Sequence, residues 1–245
     1  MRVTRIHVDC VLAIGITVVL PEAASTHLVR VLRLQAGDPC VLFNGDGCDY
    51  GARITSIDRR AVGVEVYSRQ PLDNESPLRI MLLQALARGD KMDWILQKAT
   101  ELGVNAIMPV MSERSEVKLD AERSSKRALH WHSVIVSACE QSGRAAVPSL
   151  AMASPLEQAL KLLPEGSQRL VLAPSAVRGL GDTAVSRNRV QVLAIGPEGG
   201  WSARDIMLLA SAGFVEVRLG PRIMRTETAG IAAIATLQSR FGDLG

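Results

Sequence analysis

Two stretches hold the residue types that build small-molecule pockets. Leu193-Ala194-Ile195-Gly196-Pro197-Glu198-Gly199-Gly200-Trp201-Ser202 takes an apolar strand into a glycine turn and then into the start of a helix. Glycines let backbone approach a ligand closely, and the free N–H groups of a helix start attract polar atoms. No Lys-Ser/Thr follows the glycines, which excludes a P-loop, and the spacing is not the Gly-x-Gly-x-x-Gly of dinucleotide sites. A tight strand-to-helix turn without any ligand accounts for this segment equally well. The second stretch, Leu219-Gly220-Pro221-Arg222-Ile223-Met224-Arg225-Thr226-Glu227-Thr228-Ala229, again joins a strand end, a glycine loop and a helix start. Thr226 as a helix cap and Glu227 as a first-turn acid would explain two of its polar residues. Neither explains why Arg222 and Arg225 flank so apolar a neighbourhood.

Other chemistries find little support. Cys10, Cys40, Cys48 and Cys139 form no CxxC pair and have no metal spacing with histidine, so no metal is expected. Their number and placement fit a reduced, cytoplasmic protein. His27, His130 and His132 form no ligand cluster, and Cys139 reads as a small hydrophobe on its helix. Arg2 and Arg5 followed by the apolar run Cys10–Leu20 loosely imitate an export signal. Asp9, Gly15 and Thr17 interrupt that pattern, and the run is too short to span a bilayer. The formal charge of +3 in 245 residues is a mild basic bias, compatible with RNA but too weak to imply it. Only 3% of residues are aromatic, so stacking platforms for single-stranded nucleic acid are not expected.

The elements that must position these loops divide at Pro71-Leu72-Asp73-Asn74-Glu75-Ser76-Pro77, a cluster of turn-forming residues. Residues 1–72 are expected to form one domain, 73–78 a linker and 79–245 a second domain. In front, Val41–Phe43 and Gly51–Ile57 flank Asn44-Gly45-Asp46-Gly47, a hairpin signal, and Val62–Tyr67 is a further strand. Glu22–Arg33 is the one helical candidate, with Leu28, Val31 and Leu32 on one side. A small closed β-barrel would bury these strands without a long edge. Behind the divide, strands are expected at Arg79–Leu86, Ala106–Met111, Leu170–Leu172, Val190–Ile195 and Phe214–Leu219. Helices are expected at Lys91–Leu102, Ser124–Glu140 and Thr226–Phe241, with another after Ser202, which can cap it. Alternation of this kind implies an α/β domain with a mostly parallel sheet, whose ligands bind beyond the carboxyl ends of the strands.

Taken together, GPEGGWSARDI and LGPRIMRTETA resemble the loops of the SPOUT class of methyltransferases. Within that class they are most similar to the enzymes that make 3-methyluridine in bacterial 16S ribosomal RNA. RGDKMDWILQKATELGV (Arg88 to Val104), Ser112-Glu113-Arg114 with Val117-Lys118-Leu119, and Cys139-Glu140-Gln141-Ser142-Gly143-Arg144 fit the same family. So do Arg2, Arg5, His27 to Arg33 and Gly37-Asp38, so the resemblance covers nearly the whole chain; Ala151 to Arg169 contributes little. Ile6-His7 departs from the aromatic pair common after the second arginine, which puts that edge's RNA contact in doubt.

The resemblance implies a PUA-like β-barrel in front and a parallel-sheet domain with a trefoil knot behind, a fold that composition and periodicity do not reveal. It implies S-adenosylmethionine bent in the knot, a homodimer whose second subunit completes the site, and ribosomal RNA as substrate. Carried over, the cofactor pocket draws on Leu172, Ile195, Gly196, Pro197, Glu198, Gly199, Gly200, Leu219, Gly220, Arg222, Ile223 and Met224. Methyl transfer to N3 of uridine needs an unpaired base and relief of the negative charge left when the N3 proton departs. Arg225 is the expected stabiliser, and Glu227 the expected proton acceptor or anchor for Arg225. RNA docking is expected of Arg2, Arg5, Arg30, Arg33, Arg88, Lys91, Arg114, Lys118 and Arg144, although each is more often a solvated surface charge. The rivals are a SPOUT enzyme for another base, an RNA-binding assembly protein without catalysis, and a nicotinamide enzyme, which lacks its fingerprint loop here.

Overall fold

The computed structural model describes residues 3–58, 61–116 and 121–245, and the chain divides into two compact units. One is Met1–Glu75 with Cys139–Val147, the other Ser76–Ala138 with Pro148–Gly245. Residues 139–147, expected in the rear domain, therefore belong to the front unit.

The front unit is a five-stranded sheet of β1 (Arg5–His7), β2 (Thr17–Val19), β3 (Pro39–Phe43), β4 (Cys48–Ile57) and β5 (Val62–Pro71), in the order β1-β3-β4-β5-β2. The β3–β4 hairpin turns where Gly45 and Gly47 take φ of 92° and 83°. Asp46 secures the turn, its carboxylate accepting from Cys48 N–H (3.0 Å) and the Tyr50 hydroxyl (2.7 Å). Alternate residues of β4 (Cys48, Tyr50, Ala52, Ile54) meet Val62, Val64 and Val66 in one core, as a half-buried strand requires. Among the described residues no ladder joins β1 to β2, so hydrogen bonds do not close the expected barrel.

The expected Glu22–Arg33 helix is shorter and differently wound. Helix α1 (Glu22–Thr26) passes into a π-helical turn, His27–Val31. The wider i→i+5 winding, with Leu32 N–H donating to His27 O at 3.0 Å, defeats a face counted at 3.6 residues per turn. Leu28 is fully buried as expected, but Val31 and Leu32 are exposed.

The rear unit is a seven-stranded parallel sheet. Its strands are β6 (Ile80–Ala85), β7 (Ala106–Met111), β8 (Ser149–Leu150), β9 (Ser154–Pro155), β10 (Gln168–Leu172), β11 (Gln191–Ile195) and β12 (Val215–Val217). Their order is β12-β10-β11-β6-β7-β8, with β9 also pairing β7. Its helices are α2 (Lys91–Glu101), α3 (Ala121–Ser142), α4 (Leu156–Leu160), α5 (Ala203–Ser211) and α6 (Thr226–Phe241); the last turn of α3 enters the front unit. The stripe Met92, Ile95, Leu96, Ala99 of α2 is buried, each large member contributing roughly 1.5–3 kcal/mol. Every residue of β11 is buried, which its run of apolar side chains anticipates. After β11 the chain returns past β10 to lay down β12 on its far side, so the carboxyl ends of β12, β10 and β11 lie side by side. That is the position where open α/β sheets bind ligands.

Candidate active site

A cavity of about 940 Å³ occupies that position. Leu172, Ala173 and Ser175 reach it from the end of β10, Ile195 to Trp201 from β11, and Val217 to Gly220 from β12. Arg222, Ile223, Met224, Arg225 and Thr226 complete it from the loop before α6. Every residue assigned to the cofactor pocket by resemblance lies in this lining, and so does Arg225. The structure thus brings the two loops, about 20–30 residues apart in sequence, to one place.

The glycine turn is held from several sides. Gly200 takes φ of 67°, a conformation L side chains rarely adopt, and its N–H donates to Pro197 O at 2.9 Å. A Cβ on Gly196 would stand 3.3 Å from the Trp201 indole, so a larger residue there would need the ring to give by a few tenths of an ångström. Ser202 caps α5 as expected and does so reciprocally. Its hydroxyl accepts from Asp205 N–H, and Asp205 accepts from Ser202 N–H, both at 3.1 Å. Arg114 Nη1 donates to Gly199 O at 3.0 Å. The Glu198 carboxylate accepts from Lys91 Nζ (2.9 Å) and Arg88 N–H (3.1 Å). Burial opposes its charge, but those hydrogen bonds and its own backbone N–H outweigh it and hold its pKa below the usual carboxylate value.

The second loop departs from expectation in two ways. Thr226 does not cap α6; the residue at the cap position is Arg225. The Thr226 hydroxyl instead donates to Gly196 O at 2.6 Å and accepts from Gln84 Nε2 at 3.1 Å. Glu227 neither lines the cavity nor pairs with Arg225 among the described residues. Its Oε2 is enclosed without a hydrogen-bond partner among those residues. The anchor role for Arg225 is therefore withdrawn, because the first turn of α6 directs the two side chains to different surroundings. Arg225 and Arg222 remain exposed.

The residues expected to dock RNA separate sharply. Arg2 and Lys118 lie outside the described residues. Arg5 is almost enclosed, paired with Asp49, stacked 4.9 Å over Phe43 and bonded to Arg144 O at 3.0 Å. Arg144 is 5% exposed and grips Glu75 with two bonds of 2.8 and 2.6 Å. Both guanidiniums are fastened inside the front unit, so the docking expectation for them is corrected to a structural one. Lys91 faces the cavity and Arg88 pairs with Glu116. Arg30, Arg33 and Arg114 are exposed. Glu140 accepts from His7 N–H at 3.0 Å, and burial pushes the Cys139 thiol up to about 11. Among the described residues no His, Cys, Asp and Glu group could hold a metal. None of their helices is long and apolar enough to cross a membrane.

Sequence reasoning missed Ser175, Glu216 and Arg218 in the lining, and Gln84 beneath it. For Gln84 a signal existed, an amide inside the otherwise apolar run Ile80–Ala85. Glu216 and Arg218 come into place only through the three-dimensional return of β12, and Ser175 through the position of β10 between its neighbours.

Residues 74–238 match the RNA methyltransferase domain family, and residues 20–67 match the RNA methyltransferase PUA domain. The chain is 34% identical to the ribosomal RNA small subunit methyltransferase E of Buchnera aphidicola over 243 residues, 99% of this chain and 98% of that one. The Bacillus subtilis protein of the same name is 30% identical over 86% of this chain and 85% of its own. The crystal structure of the Neisseria gonorrhoeae methyltransferase E, bound to S-adenosyl methionine, superposes with a TM-score of 0.94 at 40% identity, covering 100% of both chains. The chain belongs to the ribosomal RNA small subunit methyltransferase E family, with a PUA-like front unit and a SPOUT-type α/β rear unit.

Proposed function

We propose that this protein transfers a methyl group from S-adenosylmethionine to N3 of a uridine in the decoding region of 16S ribosomal RNA. One observation carries the reading: the glycine turn and the Arg225 loop, which follow different strands, line a single cavity at the ends of β10, β11 and β12. The residues there fit that cofactor. Leu172, Ile195 and Leu219 offer an apolar seat, and the glycines of residues 196–200 open the backbone to close approach. The Trp201 Nε1 donor is buried with no partner among the described residues. The volume suits a nucleoside-sized ligand, at the large end of the usual range for such pockets.

S-adenosylmethionine, when bound, supplies a methyl already activated by its sulfonium. The protein's share is alignment and electrostatics. Ile195 to Gly200 and Leu219 to Met224 hold and orient the donor. Arg225, exposed in the lining, offers its charge to the uracil ring, which favours loss of the N3 proton to solvent water and stabilises the anion that takes the methyl. The uridine must arrive unpaired, because N3 lies on its pairing edge. Arg30, Arg33, Arg88 and Arg114 serve the phosphates, so affinity falls with salt. The same reading includes the trefoil knot, a cytoplasmic homodimer and a partner subunit that completes the site. Ile223, apolar yet 84% exposed in the second loop, is consistent with such cover.

The test is nucleoside mass spectrometry of small-subunit RNA from cells lacking the protein, paired with calorimetry of the purified chain and S-adenosylmethionine. Loss of 3-methyluridine together with cofactor binding is the expected result. Retention of every methylated uridine would overturn the substrate, and absence of cofactor binding would overturn the enzyme.

A further inference from the structure

Gln84 is the least expected residue in the sheet. It sits in β6, in register with Ile195 of β11 and Pro109 of β7, and none of its surface reaches solvent. An amide there costs stability unless its polar atoms are used. Its Nε2 donates to Ala85 O (2.9 Å) and to Thr226 Oγ1 (3.1 Å), while its Oε1 has no partner among the described residues. The proton count fixes the direction of this chain of bonds. Gly196 O can only accept, so the single hydroxyl proton of Thr226 goes to it, and Thr226 must then receive a bond from Gln84. Gln84→Thr226→Gly196 therefore ties the middle of the sheet to the first residue of α6 and to the first residue of the glycine turn. Arg225 directly precedes Thr226.

We propose that Gln84 is a positioning residue that acts through Thr226, holding Arg225 and the Gly196 carbonyl in one fixed relation across the cavity. A core role alone would be served better by an apolar side chain, since Gln84 leaves one buried oxygen unsatisfied. A glutamate would fail differently: ionised, it has no proton to give Thr226. The proposal rests on the methyltransferase reading, and its test separates the two.

Gln84→Met and Thr226→Val each remove the tie while keeping side-chain size. Three quantities are measured on the whole protein: thermal midpoint, S-adenosylmethionine affinity by calorimetry, and single-turnover methylation of small-subunit RNA at saturating cofactor. Amide hydrogen exchange of the cofactor-free protein is followed at residues 196–200 and 225–229. With the tie broken, Gln84→Met should unfold no earlier than the parent. Exchange should rise at both loops together, and the methylation rate should drop about tenfold to a hundredfold, as misplacement of reacting groups does. Cofactor affinity should change by less, roughly threefold, since most of the seat is untouched. The double variant should be no worse than either single one, because both break one chain of bonds. Thr226→Ser, which keeps the hydroxyl, should recover most of the lost rate.

Additive losses, or exchange that rises at one loop alone, would overturn the coupling. A lower melting point with an unchanged rate would reduce Gln84 to a packing residue. If Gln84→Met does not fold, Thr226→Val and Thr226→Ser decide alone, by the same exchange and rate readouts. Should the parent protein bind cofactor but leave small-subunit RNA unmodified, the substrate reading fails, and the exchange and affinity arms still judge the tie.

Discussion

Two arginine-bearing segments, Cys139–Arg144 and Leu219–Ala229, behave oppositely in the fold. Arg144 is enclosed, its guanidinium matched by both oxygens of Glu75. Arg225 stands exposed in a cavity lining, and among the described residues no ion pair engages it. A buried cation must be matched by the protein itself, so Arg144 is spent on structure. An unmatched cation beside an open pocket remains available to a ligand's charge. The difference teaches that charge near a functional segment means little until its partner is known.

That contrast can be broken by substitution. Arg144→Ala should lower the unfolding free energy by about 1–3 kcal/mol, because it takes both hydrogen bonds from the part-buried Glu75 carboxylate. Urea unfolding measures this, and a loss under about 1 kcal/mol would deny Arg144 its structural part. Arg225→Ala should behave in the reverse manner. Its stability should stay within about 0.5 kcal/mol of the parent, while methylation falls roughly 10²–10³-fold. Near-normal turnover in single-turnover assays would remove Arg225 from the mechanism.

Smaller effects sharpen the picture around the glycine turn. Ser202→Ala breaks the reciprocal cap of α5 and should cost about 1 kcal/mol in the same urea experiment. Glu198 supplies the mildest test, through pH. Its lowered pKa means that the unfolded chain takes up its proton first as pH falls. The stabilisation is thus complete above the ordinary value of 4.5 and fades as pH drops through the lower folded value. The gap in melting temperature between the parent and Glu198→Gln should be widest at neutral pH and close on that acid side. A gap that stays constant with pH would show that the Lys91–Glu198 pair does not control it.

Much of the rear unit was legible in the chain. Apolar runs of strand length and the 3.6-residue stripe of α2 depend on neighbours close in sequence, and β7 and α6 fall where those patterns place them. The front helix was not, because one π-helical turn changes which side chains share a face. The site was half legible. Its two loops stood out by composition, and the resemblance joined them. The task of Thr226 was misread, since a threonine before a helix looks like a cap whether or not its hydroxyl turns elsewhere.

Local patterns along the chain settled the parallel α/β plan, the hairpin at Gly45 and Gly47, the capped start of α5 and the two loops that matter. These follow from local preferences of backbone and side chain, which act over a few residues. Three-dimensional packing alone fixed that Cys139–Val147 belongs to the front unit, that Arg144 is enclosed and Arg5 almost so, and that Gln84 reaches Thr226 142 residues away. Those outcomes depend on burial and on long-range partners for buried polar groups, which no local pattern of residues encodes.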